Sequence, residues 1–170
     1  MNVKGPRLRH PKLEELKSLE RFLSRLGLKV KEIAENVMAL EVPKAKYVEL
    51  FEVPMWVLEL LDVLPFHYAS GLYLGYVEKG RFKPGLPLAR RLSSLCGRTF
   101  KCFVVDWEGE KRFLYGREVS ERHIIEWTEG VSTVLNQIGE PLGWGRGVVR
   151  KGERVLKPLW DLGWYLRRGG

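Results

Sequence analysis

Residues 131–158 read VSTVLNQIGEPLGWGRGVVRKGERVLKP. Apolar residues alternate with polar ones or glycines through 131–137, 141–149 and 154–158, and turn signals at Gly139-Glu140 and Lys151-Gly152 separate the runs. Successive short strands joined by tight turns are the simplest outcome. Upstream, residues 100–106, 111–115 and 123–128 have the same texture, with turns expected at Glu108-Gly109 and Glu129-Gly130. Six short strands in a small segment predict a β-barrel, which removes the exposed edges that such a segment tolerates poorly.

The first half reads differently. Leu13, Leu16, Leu19, Phe22, Leu23 and Leu26 recur at steps of three and four between Pro11 and Gly27, which predicts an amphipathic helix with a start and a stop. Residues 28–33 and 37–42 alternate around Glu35-Asn36 and predict a hairpin, followed by a strand over 47–51. Pro54 opens a second helix; the apolar stretch 53–66 is too short to span a bilayer and carries Glu59 and Asp62, so it reads as a core helix. A glycine- and aromatic-rich strand over 71–77, a turn at Lys79-Gly80 and a third helix over 88–95, opened by Pro87 and closed by Gly97, complete this half. The expected class is α+β: an N-terminal α/β domain over 1–96 followed by a small β-barrel over 97–170.

Composition narrows the partner. With 45% hydrophobic residues in 170, the chain can bury a core, which excludes a disordered tail. The formal charge is +8, and it is unevenly spread: net +6 over 1–31, −5 over 32–62, −1 over 63–78, +7 over 79–101, −4 over 102–140 and +5 over 141–170. Such polarity points to an anionic partner, with nucleic acid the commonest. Cys96 and Cys102 match neither a zinc knuckle nor a CxxC redox site, so a reducing, cytoplasmic setting is the expectation. No signal peptide is expected from residues 1–11, where no apolar run follows the basic residues. Amides are scarce (Gln137, Asn2, Asn36, Asn136) beside plentiful Lys, Arg and Glu, a balance found in heat-adapted proteins.

No catalytic constellation is expected, and neither is a cofactor or a metal. His10, His67 and His123 lie far apart in sequence, none at ligand spacing from another His or Cys. Gly143, Gly145 and Gly147 lack the following helix that a dinucleotide fingerprint needs; they fit a strand that bends or that lets RNA approach. Asp106, Glu108 and Glu110 read as a solvated turn. Of the six tryptophans, Trp144 and Trp160 stand apart because Arg146, Arg150, Lys151, Arg154 and Lys157 interleave with them. Aromatics among cations stack bases while the cations hold phosphates, the usual provision for single-stranded RNA. The plainer reading of the same block is a basic face that keeps the protein in solution. The block 79–101 reads equally as a second contact surface or as the exposed face of the third helix, with Arg90 and Arg91.

Three segments in order, Arg112-Phe113-Leu114-Tyr115-Gly116-Arg117-Glu118-Val119, Gly139-Glu140-Pro141-Leu142-Gly143-Trp144-Gly145 and Asp161-Leu162-Gly163-Trp164-Tyr165-Leu166-Arg167, resemble the ribosome-biogenesis family named nuclear import protein seven. The chain departs from that pattern at Pro158, Leu159 and Trp160, and at Trp164. The resemblance implies a pre-PUA domain followed by a PUA domain, and a non-enzymatic factor that binds single-stranded pre-rRNA during large-subunit assembly. It implies RNA contacts at Arg150, Lys151, Arg154 and Lys157, then Arg146 and Arg117, with ribosome-assembly proteins meeting the N-terminal domain. The alternatives are an RNA-binding accessory of an RNA-modifying enzyme and a protein-interaction scaffold whose charge is incidental. No membrane association is expected.

Overall fold

In the computed structural model, which describes residues 5–61, 71–163 and 167, the chain divides into two units, Met1–Leu88 and Ala89–Gly170. The first is built on five antiparallel strands in chain order: β1 (Arg7–Arg9), β2 (Val37–Glu41), β3 (Tyr47–Glu52), β4 (Leu72–Glu78) and β5 (Arg81–Pro84). Partners across an antiparallel ladder share a face. Glu41 pairs with Val48, Val48 with Val77 and Val77 with Phe82, so Ala39, Leu50, Val77 and Phe82 look one way. Helix α1 (Leu13–Arg25) covers that face: its Leu19 and Leu23 are fully buried, and Phe22 meets Phe82 with ring centroids 5.3 Å apart. Each such leucine contributes about 1.5–3 kcal/mol. The opposite face carries Met38, Leu40 and Phe51 against Val57 and Leu58 of α3 (Met55–Leu61).

The predicted first helix is found, ending where Gly27 adopts φ +74°. Two expectations fail in this unit. Residues 28–33 do not form a strand: Val30–Ile33 is a short helix, α2, because Glu32 reaches back to accept the Lys29 N–H at 2.6 Å and stabilises a helical turn. The partner of β2 is instead the unpredicted β1, through Leu8 opposite Leu40. The second helix is less of a core element than its apolar sequence suggests, since Met55, Trp56 and Leu60 are exposed. Residues 62–66 of that stretch lie outside the described residues. Among the described residues no helix is long and apolar enough to cross a membrane.

The division between the units falls within α4 (Leu86–Ser93). The second unit is a six-stranded sheet in the order β7-β11-β10-β9-β6-β8, comprising β6 (Phe103–Val105), β7 (Val119–Ser120), β8 (Ile124–Glu126), β9 (Gly130–Asn136), β10 (Pro141–Arg150) and β11 (Glu153–Asp161). Its two edge strands, β7 and β8, are consecutive in the chain and joined by one 3-10 turn, Glu121–His123. Three residues of 3-10 helix rise only about 6 Å. The sheet must therefore curl until its edges nearly meet, giving a nearly closed barrel around Phe103, Val105, Val119, Val134, Leu142 and Leu156.

One predicted strand of this half is a helix. Residues 107–114 form α5 (Trp107–Leu114), and the Glu108-Gly109 hairpin does not exist. Asp106 caps the helix by accepting the Gly109 N–H at 2.7 Å, acidic Glu108 and Glu110 occupy its first turn, and Lys111 and Arg112 its last. All three features suit the helix dipole. Phe113 fills the barrel core, while Gly109 lets α5 approach the carbonyl of His123. Cys96 and Cys102, for which a reducing setting was the expectation, form a disulfide with Cα atoms 5.7 Å apart.

Candidate nucleic-acid interface

All of the basic residues singled out from sequence as RNA contacts except Arg117 lie on the β10–β11 hairpin. Its tip is a two-residue turn, Lys151-Gly152, with φ +51° and +84°. Two consecutive positive φ values are what a type I′ hairpin turn requires, and the turn leaves the Lys151 side chain exposed at the tip. Behind the tip, alternation sorts the cations. Arg146 pairs with Lys157, and Arg150 lies four residues along the same strand, so these three share a face. Arg154 pairs with Val149 and belongs to the other face.

Each group meets a carboxylate from the segment beside β11. Glu118 accepts from Arg150 Nη1 at 3.1 Å through Oε2 and sits 3.6 Å from Lys157 Nζ through Oε1. Glu121 lies 3.8 Å from Arg154 Nη1 and also accepts the Arg154 backbone N–H. The Arg154 guanidinium carbon stands 5.7 Å from the ring centroid of Trp127, whose edge packs on Phe103 in the core. Arg117 is exposed next to Glu118. The structure thus brings Arg150 and Lys157 together on Glu118 with Arg146 beside Lys157 on the same face, sets Lys151 at the tip, and separates Arg154.

Trp144 is not a stacking platform. It is fully buried, whereas Trp160 is half-buried. The aromatic that accompanies a cation of this hairpin is Trp127, which neighbours Arg154 through space and not along the chain. Trp107 and Tyr115 at the two ends of α5 are exposed at 65% and 67%, with Lys111 and Arg112 between them. The signal that would have found them is the helix cap at Asp106, which makes 107–115 a helix with aromatic ends.

The glycines and the C-terminal motif have structural tasks. A Cβ on Gly145 would strike Leu156 and Val134, and one on Gly147 would lie 2.3 Å from the Thr128 carbonyl oxygen and 2.9 Å from Trp127. These glycines serve core packing. Arg167 chelates Asp161 at 2.9 and 3.0 Å and also donates to the carbonyl of Leu114, closing the C-terminal end of α5, while Gly163 leaves room for that same carbonyl.

Asp106 also meets His123, with Oδ2 3.0 Å from Nδ1. Burial opposes ionisation of this carboxyl, but the Gly109 N–H and His123 outweigh it and hold its pKa below the ordinary range. Among the described residues there is no group of three or more His, Cys, Asp or Glu side chains placed to hold a metal.

Comparison with known proteins agrees with this architecture. Residues 101–170 match the family model described as the UPF0113 PUA domain. A UPF0113 protein of Aeropyrum pernix is 44% identical over 164 residues, covering 96% of this chain and 94% of the relative. The chain belongs to the UPF0113 family. Its second unit is accordingly a PUA domain, a fold whose members generally bind RNA. Two solved structures share the fold at low identity. A hypothetical protein of the hyperthermophilic archaeon Pyrococcus horikoshii OT3 has a TM-score of 0.62 at 13% identity, over 91% of this chain and 94% of that one. A conserved PUA domain protein of Thermoplasma acidophilum has a TM-score of 0.58 at 12% identity, over 96% and 99%. The Aeropyrum pernix relative supports an archaeal origin.

Proposed function

We propose that this protein is a non-enzymatic RNA-binding factor of large-subunit ribosome assembly, with an N-terminal pre-PUA domain followed by the PUA barrel. The single observation that carries RNA binding is the cationic hairpin face of Arg146, Arg150 and Lys157, tipped by Lys151, on a fold whose members generally bind RNA. These are exposed or half-buried cations at one strand spacing, suited to successive phosphates of a single strand. Trp127 beneath Arg154 and the exposed Trp107 and Tyr115 offer ring faces for unpaired bases. The ribosomal role rests on the resemblance of the three sequence motifs. The protein acts in the cytoplasm; the Cys96–Cys102 disulfide is compatible with that setting in hyperthermophilic archaea, whose intracellular proteins keep such bonds.

Binding of a uridine-rich single-stranded RNA, measured by anisotropy across salt concentrations, tests the reading. Replacing Arg146, Arg150 and Lys157 with Ala should flatten the log–log salt slope by about 2, at roughly 0.7 per lost phosphate contact. An unchanged slope in a folded variant refutes the site. Crosslinking in cells should recover large-subunit pre-rRNA; recovery of transfer RNA alone refutes the ribosomal role. Mass spectrometry of RNA incubated with the protein and a methyl donor should show no modification.

A further inference from the structure

The N-terminal unit contains a cleft of about 440 Å³ where three connections meet at one end of its sheet: the entry to α1, the β2–β3 turn and the β4–β5 turn. Lys12, Lys44, Lys46 and Lys79 line it. They come from three different charge blocks of the sequence, and two of them sit in the net acidic one. None of the four has a carboxylate within ion-pair distance among the described residues.

The carboxylates nearby are largely committed. Glu15 is chelated by Arg9 at 2.8 Å on both oxygens, and Glu41 accepts from Arg9 at 3.0 Å. Glu78 is held by Lys83 at 2.5 Å, with Lys79 and Lys46 contributing only at longer range. Glu14 is the one lining acid without such a partner among the described residues. Tyr47 on the wall is partly exposed, its ring edge-on to Tyr76 at 5.5 Å.

The backbone adds an independent observation. Only three described residues other than glycine have positive φ, and all are lysines: Lys44 at +67°, Lys79 at +50° and Lys151 at +51°. Glycine or asparagine is the unstrained choice there. Two of the three rim this cleft and the third tips the candidate RNA hairpin. A cation at a strained turn tip on both units is hard to account for by folding alone.

We propose that this cleft is a second anion site, which binds the phosphate oxygens of a phosphate-bearing ligand through Lys44, Lys46 and Lys79 with Lys12 at its rim. Lysines act as mobile point charges and match a chain of phosphates without fixed bidentate geometry. Two sources share that chemistry, an RNA backbone and a free polyphosphate. The site stands on this unit's geometry alone; only its RNA arm rests on the function proposed above.

The test uses the full chain carrying Lys44→Asn, Lys46→Gln and Lys79→Asn together. Asparagine accepts left-handed φ, so the turns keep their conformation while the charges go, and the melting temperature serves as control. Tripolyphosphate binding by calorimetry at low salt should weaken at least tenfold. If RNA is the source, the RNA salt slope should also flatten by about 2. Weakened tripolyphosphate binding with an unchanged RNA slope supports the site with a free polyphosphate as ligand. If the triple variant fails to fold, Lys46→Gln alone, which leaves both strained turns intact, should change the slope by about 0.7 or weaken tripolyphosphate binding severalfold. Should a folded variant alter neither measurement, or should the wild-type chain bind RNA but no tripolyphosphate and keep its RNA slope in the variant, the inference is overturned. A wild-type chain that binds tripolyphosphate in this way but no RNA refutes the proposed function and leaves the cleft standing.

Discussion

Glu118 is the residue whose removal should strengthen RNA binding. Its two oxygens hold Arg150 at 3.1 Å and Lys157 at 3.6 Å, so a phosphate approaching that face must displace a carboxylate from both cations. The Arg150 and Glu118 side chains are about half exposed and Lys157 a third, which places both pairs among surface ion pairs. Such pairs are worth roughly 0.2–1 kcal/mol each. Breaking two costs about 0.4–2 kcal/mol, and Glu118→Gln removes that cost before binding starts; the corresponding affinity gain is about 2- to 30-fold. The same substitution should lower stability by no more than about 2 kcal/mol, since no core contact is lost. Anisotropy titrations of a uridine-rich single strand at fixed salt, for wild type, Glu118→Gln and Arg150→Ala, give the readout. The two variants should move in opposite directions. Equal or weaker binding by Glu118→Gln, with the fold intact, would falsify the assignment of Arg150 and Lys157 to phosphate.

Three further outcomes follow from geometry elsewhere. Arg9 holds the Glu15 carboxyl below its ordinary pKa of 4.5, against the opposing effect of burial, so the stability from this ion pair is complete above that pH and is lost as pH falls through the depressed value. Glu15→Gln, which still caps α1, should cost about 1–3 kcal/mol at pH 7 in urea titrations and much less at pH 2; an equal cost at both pH values contradicts the pairing. Gly147→Ala should destabilise by about 1–3 kcal/mol, because the new methyl meets the Thr128 carbonyl and two aromatic rings; a neutral effect on melting would mean that β10 can shift there. Reducing the Cys96–Cys102 bond, which links residues six apart, should lower stability by about 2 kcal/mol in urea titrations with and without dithiothreitol, and no difference would show that the bond does not constrain the unfolded chain.

What was legible in the sequence was what depends on neighbours along the chain. The leucine spacing of α1, the Lys79-Gly80 and Lys151-Gly152 turns and the long strands β9 to β11 all carry their own period or punctuation. The failures share a cause. Residues 28–33 and 111–115 alternate like strands, but side chains at their helix starts, Glu32 and Asp106, capture backbone N–H groups and make helices. The short strands β1, β5 and β7, of two to four residues, are too brief to show a period. At the candidate interface the cations were legible as a run, but their sorting depends on register, which sends Arg154 to the face opposite Arg150. Trp144 misled because basic neighbours in sequence say nothing of which face a residue takes, and Trp127 was missed because its cation comes from a distant strand. Glu118, which controls two of the cations, lay in a segment that carried no periodic signal at all.

The two strand orders imply different histories during synthesis. In the first unit the spatial order equals the chain order, so each strand emerging from the ribosome finds its partner already waiting. The barrel cannot assemble in that way. Strand β11 lies between β10 and β7, so β7 has no ladder partner until the last strand has been made. Until then the nascent barrel is an open sheet with β10 as an unpaired edge, of the kind that invites association with other chains. The N-terminal unit can therefore pair its strands as they emerge, while the candidate interface, which spans β10 and β11, comes into being only once β11 has been made and closes the barrel.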